Sequence, residues 1–502
     1  MGSNSLFERA LSPRETLVFF AVAAFLFVYP LFLADNFYID DSWRSQLAGT
    51  HWKEEGRLFV ECFYGVLTFT AAAPNIFPLP LIIATLAMAL ALRRLAQHYF
   101  KTPNFSACLV VLPLWYSPYF LQNLSYQYDG PTMTLSLVAV IYAITFNSRH
   151  AVLNVLLPGA LIALALGFYQ LSLNVFIGLC CIEVVRQVAG GAPFKVVRWT
   201  VGHKAMQLLA GLVIYYLTAY PFMAEMRQGL LGLNPQIVGD LAARQTLVME
   251  RLGLLFNDGN RWFYMALAVG AGIAWLWAGM RAAASGQGLA QKVGLILLYG
   301  LSLPLLLLCV SGAALLFKVF NDGARTLMGL SALLVAMFYL NHWLLEKIHP
   351  RCCLLLLVPV LSMLSFSYAY GRVMSVQKEL TNSVMQQLSY DIASRQELRE
   401  AQKLYMVSIG VSGNWLPAAS GSTRLMPALK YVLNINYFVL AEMLPRVGLV
   451  NVSGDKPPLT ARSFAEGSFV PLVENKFYRL YALDGNGYIV MKHVDDAEVL
   501  RW

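Results

Sequence analysis

The stretch AVLNVLLPGALIALALGFYQLSLNVFIGLCCIEVVRQ, Ala151 to Gln187, is an almost unbroken apolar block of about 37 residues. A helix crosses the roughly 30 Å of bilayer hydrocarbon with about 20 residues. The block is therefore about two crossings long. A break at Gly167-Phe168-Tyr169-Gln170, where polar groups interrupt the run, makes it a pair of antiparallel membrane helices. That reading sets the fold class: a polytopic α-helical membrane protein.

Composition agrees. Of 502 residues, 58% are hydrophobic and 13% charged, about half the charge of an ordinary soluble domain; the mean hydropathy is +0.57. Further apolar runs of spanning length lie near 15–35, 75–95, 106–122, 131–147, 205–221, 262–280, 293–311, 325–344 and 352–370. With the split pair at 151–167 and 170–187, about eleven transmembrane helices are expected. The first run is long and lacks a clear small-residue cleavage site, so it reads as a span rather than a signal peptide.

The net charge of +9 fits Lys and Arg flanking the spans on the cytoplasmic side better than it fits a nucleic-acid partner. With the N-terminus inside, the inner loops gather Arg93, Arg94, Arg149, Arg186, Lys195, Arg198, Lys204, Arg281 and Lys347, among others. The longer outer loops hold fewer cations, Arg44, Lys53, Arg57, Arg227, Arg244 and Arg325 among them. Eleven spans that start inside finish outside. The inner histidines, including His98 and His342, read as interfacial residues with no accompanying carboxylate cluster. Six cysteines lie in or beside apolar runs and Cys62 in a loop, with neither disulfide nor zinc spacing.

Two domains follow: a membrane domain over 1–370, with an outer loop at 36–74, and a small periplasmic α/β domain over 371–502. In the second, residues 372–402 read as helix, and KLYMVSIG and YVLNINYFVL as strand or short helix. In KFYRLYALDGNGYIVMKH, two aromatic-rich runs flank the turn cluster Asp484-Gly485-Asn486-Gly487, which predicts a hairpin.

Charge concentrates at FYIDDSWRSQLAGTHWKEEGR, Phe37 to Arg57, directly behind the first span. On one reading Asp40, Asp41 and Arg44 belong to an interfacial loop anchored by Trp43 and Trp52. On the other, an acid handles a proton while an arginine clamps an anionic group. Further polar patches fall on the same outer side: Gln122 to Asp129, with Asn123 and Tyr128; Tyr169, Gln170 and Asn174; and Lys318, Asn321, Asp322 and Arg325.

The motifs YIDDSWRSQLAGTHWKEEGR, SPYFLQNLSYQYDGPTM and GFYQLSLNVF, in this order and spacing, resemble the type II Gtr bacterial glucosyltransferases, polytopic enzymes that modify O-antigen. The likeness is specific over roughly the first 190 residues; beyond them it rests on hydropathy and the terminal ENKFYRLYALDGNGYIVMK segment. It implies a GT-C-like glycosyltransferase of the bacterial inner membrane. Such an enzyme takes glucose or a related sugar from a polyprenyl-phosphate carrier and adds it to a glycan acceptor on the periplasmic face. The resemblance places catalysis on Asp40 and Asp41, in the loop after the first span.

In such a transfer a carboxylate takes the proton of the attacking hydroxyl and a cation stabilises the departing phosphate. Asp40 is assigned as base and Asp41 as its partner or a sugar ligand, although either acid could serve. Arg44, Arg57 and Arg325 are the phosphate-binding candidates; Asn123, Tyr128, Asp129, Tyr169 and Gln170 are expected to bind sugar or acceptor. No cofactor is called for, and a divalent-metal requirement is left open. The competing reading is a secondary transporter or lipid-linked sugar flippase, but transporters place ionisable groups near mid-membrane and the acids here sit at outer span ends.

Overall fold

The computed structural model describes residues 9–224, 229–232, 235–408, 415–467 and 469–494. Arg227 lies outside these residues. The chain opens with α1 (Pro13–Ala34), whose start is set by a capping box in which Ser12 and Glu15 satisfy each other's free amide. A connecting segment carries α2 (Asp41–Leu47) and α3 (Leu58–Thr68), both too short to cross hydrocarbon. Next come α4 (Leu79–Phe100), α5 (Phe105–Val111), α6 (Pro113–Tyr116), α7 (Phe120–Ser125) and α8 (Asp129–Thr145). They are followed by α9 (Ala151–Phe168), α10 (Ser172–Ala189), α11 (Phe194–Thr218), α12 (Ile237–Gly253), α13 (Arg261–Ala283), α14 (Leu289–Leu308), α15 (Leu330–Ile348) and α16 (Leu357–Ser394).

Among the described residues eight helices are long and apolar enough to cross a membrane: α1, α4, α9, α10, α11, α13, α14 and α16. The protein is a multi-pass, mostly helical membrane protein. The apolar block at 151–187 breaks between Phe168 and Ser172 into α9 and α10, as its length requires.

Three expected spans depart from the simple picture. The run near 106–122 is split into α5, α6 and α7; Pro113 begins a new turn, and Ser117-Pro118 leaves helical geometry because the residue before proline is forced extended. Nearly every residue from Ser106 to Thr134 is buried, so this interrupted backbone is surrounded by protein, where hydrocarbon tolerates it. The run near 131–147 is a 17-residue helix, and the run near 325–344 is α15, 19 residues diluted by Asn341, His342, Glu346 and Lys347.

The final helix α16 is 38 residues long, about 57 Å at 1.5 Å per residue, far more than a bilayer core. The boundary expected at 370/371 therefore falls inside a continuous helix. Gly371 marks the crossing of α16 over α1, where an added Cβ would stand 2.4 Å from the Pro30 Cβ.

Beyond α16 lies a five-stranded sheet in the order β2-β1-β5-β4-β3. Its strands are β1 (Leu404–Ser408), β2 (Val452–Ser453), β3 (Val473–Glu474), β4 (Tyr478–Leu483) and β5 (Asn486–Met491). The last two residues of KLYMVSIG lie outside the described residues. The segment YVLNINYFVL contributes the end of a short helix, Ala428–Leu433, and then irregular chain. Strands β4 and β5 form the predicted hairpin, closed by Asp484 (φ 49°) and Gly485 (φ 73°), the two positive-φ residues of a tight hairpin turn. Val384, Leu388 and Ile392 of α16 pack with Leu404, Phe438, Tyr478 and Ile489, so the long helix belongs to both cores.

Candidate functional site

The loop after α1 is held from its middle. Asp41 is fully buried, and its carboxylate accepts backbone N–H groups from Tyr38 at 2.9 Å, Gln127 at 2.9 Å and Tyr128 at 3.3 Å. It ties α2 to the turn before α8. Burial pushes the Asp41 carboxyl up to about 8; the amides of Gln127 and Tyr38 oppose that rise and the charge of Asp129 adds to it.

A second knot forms around Asp129. Its Oδ1 accepts the Trp52 Nε1–H at 2.7 Å and pairs with Arg57 Nη2 at 2.8 Å. Arg57 is buried, donates from Nε to the Phe168 carbonyl at 3.0 Å, and lies 3.7 Å from Glu55. Trp52 is fully buried, stacked on Tyr64 at 5.3 Å, with the Arg44 guanidinium 4.1 Å from its ring centre. Arg44 is buried too, lies 4.5 Å from the Trp43 ring and donates to the Thr50 carbonyl. The interfacial-anchor reading of Trp52 is thus overturned: the ring is interior. Arg44 and Arg57, expected at a phosphate, are engaged in holding the loop.

Arg325 differs. It sits on a single turn, Ala324–Thr326, ahead of α15. Its amide donates to Gln122 Oε1 at 2.6 Å, its carbonyl accepts from Asn123 Nδ2 at 3.3 Å, and Nη1 donates to the Tyr126 hydroxyl at 2.5 Å. Among the described residues no carboxylate forms an ion pair with it. The acid whose charge acts on it is Asp40.

Asp40, half-buried, stands at the head of α2, next to the enclosed Asp41. Its charge also acts on Tyr126, Tyr437 and Glu442. Glu442 is held above the ordinary carboxylate range, first by burial and then by Asp40.

Tyr169 lies between the Asp129 knot and Arg325. Its hydroxyl faces Asn123, and it feels the charges of Arg325 and Arg57, the latter 5.5 Å from its ring. Gln170 lies to one side, donating to the Glu55 carbonyl at 2.9 Å and the Tyr215 hydroxyl at 3.2 Å. The Tyr128 hydroxyl is buried without a hydrogen-bond partner among the described residues, a donor and acceptor that a ligand hydroxyl would satisfy.

The expected residues therefore sort into two layers. Asp41, Arg44, Trp52, Arg57 and Asp129 are a buried frame; Asp40, Arg325, Tyr169 and Asn123 gather at its edge, with a half-buried carboxyl group and a guanidinium that no carboxylate among the described residues ion-pairs. Tyr38, Gln122, Tyr126, Tyr437 and Glu442 complete that edge and were not assigned from the sequence. The signal for Gln122 and Tyr126 was their place in the same polar patch as Asn123. The last two come from the C-terminal unit, which reaches the loop through the Tyr38 hydroxyl, 2.5 Å from the Leu433 carbonyl, and through Gln46 donating to the Glu442 carbonyl.

At the other ends of the helices a different cluster appears. Glu183 is buried, 2.8 Å from His98 Nε2 and 2.7 Å from Arg186 Nη2, and His342 Nδ1 lies 4.0 Å from Glu346, so two of the inner histidines have a carboxylate beside them. His98 and Glu183 are 85 positions apart, a proximity that hydropathy does not reveal. Among the described residues no group of three or more His, Cys, Asp or Glu is placed to hold a metal ion.

The chain is 24% identical over 212 residues to an uncharacterized 55.3 kDa protein in the gtrB 5' region of Salmonella phage P22. That alignment spans 42% of this chain and 43% of the phage protein, less than half of either. No solved structure matches. The family model described as Glucosyl transferase GtrII matches residues 29–336, more than half of the chain and all of the helical part of the site from Asp40 to Arg325. The chain belongs to the GtrII glucosyl transferase family.

Proposed function

We propose that this glycosyltransferase-family protein moves a hexosyl residue, glucose or a close relative, from a polyprenyl-phosphate carrier to a cell-surface glycan of the O-antigen kind. The observation that carries this reading is Arg325: a guanidinium with a tyrosine hydroxyl and, among the described residues, no ion-paired acid, beside the half-buried Asp40. Arginine holds phosphate oxygens with a planar fork of donors, and a phosphate supplies the charge that Arg325 lacks.

In the reaction the acceptor hydroxyl oxygen bonds to the anomeric carbon while the bond from that carbon to the phosphate oxygen breaks. Asp40 takes the hydroxyl proton, and the electron pair leaves with the polyprenyl phosphate, whose charge Arg325 and the Tyr126 hydroxyl meet. The leaving group is already an anion, so no strong acid is required. Asn123, Tyr169 and the Tyr128 hydroxyl hydrogen-bond the sugar. Asp41, Arg57 and Asp129 keep the loop in place.

On this reading the run α5 to α7, α8 and α15 also cross the bilayer, which gives eleven crossings with the N-terminus inside. The site and the unit from about 371 onward then face the periplasm of a bacterial inner membrane. Transfer of labelled hexose from a synthetic polyprenyl-phosphate donor by the purified protein in detergent, where no gradient exists, tests the enzyme reading. Arg325→Lys should lose most of that transfer at normal protein levels; unchanged donor use would remove Arg325 from the phosphate.

A further inference from the structure

The same outer side carries a second polar hollow. A cavity of about 320 Å³ lies between the C-terminal end of α12, the segment 321–323 and the C-terminal unit near 427–434. Its walls include Arg251, Asn321, Asp322, Lys430, Tyr431 and Asn434. Arg251 Nε donates to Asp322 Oδ2 at 2.7 Å, its guanidinium stands 5.4 Å from the Tyr431 ring centre, and the Tyr431 hydroxyl donates to the Asp322 carbonyl.

Such a wall offers carboxylate and amide oxygens as acceptors, guanidinium and amide N–H groups as donors, and one aromatic ring. Vicinal ring hydroxyls are recognised by paired donors and acceptors of this type, and the C–H face of a pyranose packs on an aromatic side chain. Asp322 already neutralises the Arg251 guanidinium, so the wall suits a neutral polyhydroxyl unit better than a lone phosphate, and its polar lining disfavours a hydrocarbon chain.

The position is as informative as the composition. Asp322 and Gly323 line the cavity, and Arg325 follows two residues later in the same short segment. Gly323 stands between the two places, since a Cβ there would lie 3.6 Å from Gln122 Oε1, the acceptor of the Arg325 amide, and 3.7 Å from Asn434 Nδ2. A chain of three residues spans at most about 10 Å. The cavity is thus within about two sugar units of the Arg325 backbone.

We infer that this cavity is a saccharide subsite, holding a pyranose unit of the acceptor glycan next to the one that receives the sugar. The inference rests on the transferase reading above. It gives the C-terminal unit a function: Lys430, Tyr431 and Asn434 form one wall, so acceptor length is sensed jointly by the membrane helices and the unit beyond α16.

The probe is surface polysaccharide released from the producing cells by mild acid and sized into fragments of one residue and of several. With the wild-type protein and a polyprenyl-phosphate hexose donor, KM for the long fragments should be lower than for the monosaccharide. Lys430→Ala and Asp322→Asn should raise KM for the long fragments about tenfold, the effect of losing one charged hydrogen bond, with the monosaccharide KM and the donor KM unchanged. Binding of the long fragments to donor-free protein, followed by ligand-observed NMR, should weaken in the same variants, and Lys430→Arg should restore part of it. Equal KM values for short and long fragments, or unaltered long-fragment binding in both variants, would overturn the subsite while leaving transfer intact. Absence of any transfer by the wild type, with long fragments still bound in the Lys430-dependent way, would instead count against the reaction and keep the subsite.

Discussion

The Asp41 carboxylate accepts the Gln127 amide at 2.9 Å across 86 residues of chain, and that contact separates the roles of two adjacent acids. Asp41 is enclosed and satisfied by three backbone donors, whereas Asp40 stands beside the arginine edge. Asp41→Ala should strand those donors and destabilise the protein by about 1–3 kcal/mol, seen as a lower melting temperature. Asp41→Asn keeps a neutral acceptor and should retain the fold and more transfer activity than Asp40→Asn. A fully stable Asp41→Ala would mean that the loop is held elsewhere.

The same acid gives a pH signature. Folded, Asp41 titrates at about 8 because burial outweighs its amide donors; unfolded, it titrates near 4. Between those values the folded chain binds more protons, so its contribution to stability is full below the unfolded value and is lost as pH rises toward 8. Asp41→Asn does not titrate. The difference in melting temperature between that variant and wild type should therefore move in the variant's favour from about pH 5 to about pH 8. A difference moving the other way would show that the three N–H donors prevail over burial.

Arg57 and Arg325 should fail in different ways. Replacing Arg57 by Met leaves the Asp129 charge buried and partly unpaired, at a cost of about 3–5 kcal/mol, so the protein level should fall with the activity. Arg325→Lys should keep the protein level and lose donor use, because the ammonium keeps the charge without the fork. Thermal denaturation beside donor KM distinguishes them; a stable Arg57→Met with raised donor KM would move the phosphate to Arg57.

Glu442 should tune the base. Its charge near Asp40 raises the Asp40 proton affinity, so Glu442→Gln should shift the acidic limb of the rate profile to lower pH with little change at the plateau. A shift to higher pH, or none, would place Glu442 outside the site.

The orientation has its own check. A reporter active only in the periplasm, fused to the C-terminus, should be active; activity of a cytoplasmic reporter at the same point would put every site residue on the wrong face.

Much of this arrangement is legible in the sequence where length and hydropathy decide it. The pair α9 and α10 follows from the length of the apolar block, and the β4–β5 hairpin from Asp484-Gly485. The broken path α5 to α7 is harder to read, since its composition matches that of a span and only Pro113 and Ser117-Pro118 mark the interruptions. Continuity of α16 past 371 is also hidden, because a drop in hydropathy marks the end of the bilayer, not of the helix. Arg57 and Arg325 look equivalent in the sequence; what separates them is Asp129, 72 residues from Arg57 along the chain, a pairing made only by the fold. The site wall supplied by Tyr437 and Glu442 needs the C-terminal unit to fold back onto the first loop.

Asp40 carries the central claim, and one rate measurement tests it: hexosyl transfer from a synthetic polyprenyl-phosphate donor by purified Asp40→Asn protein. The amide has the shape of the acid and cannot take the proton. Transfer should fall about 10²- to 10⁴-fold, with donor affinity and melting temperature as in wild type. Glu54→Gln and Glu61→Gln, altered in the same loop, should transfer normally. Transfer by Asp40→Asn at the wild-type rate would contradict the assignment of Asp40 as the base.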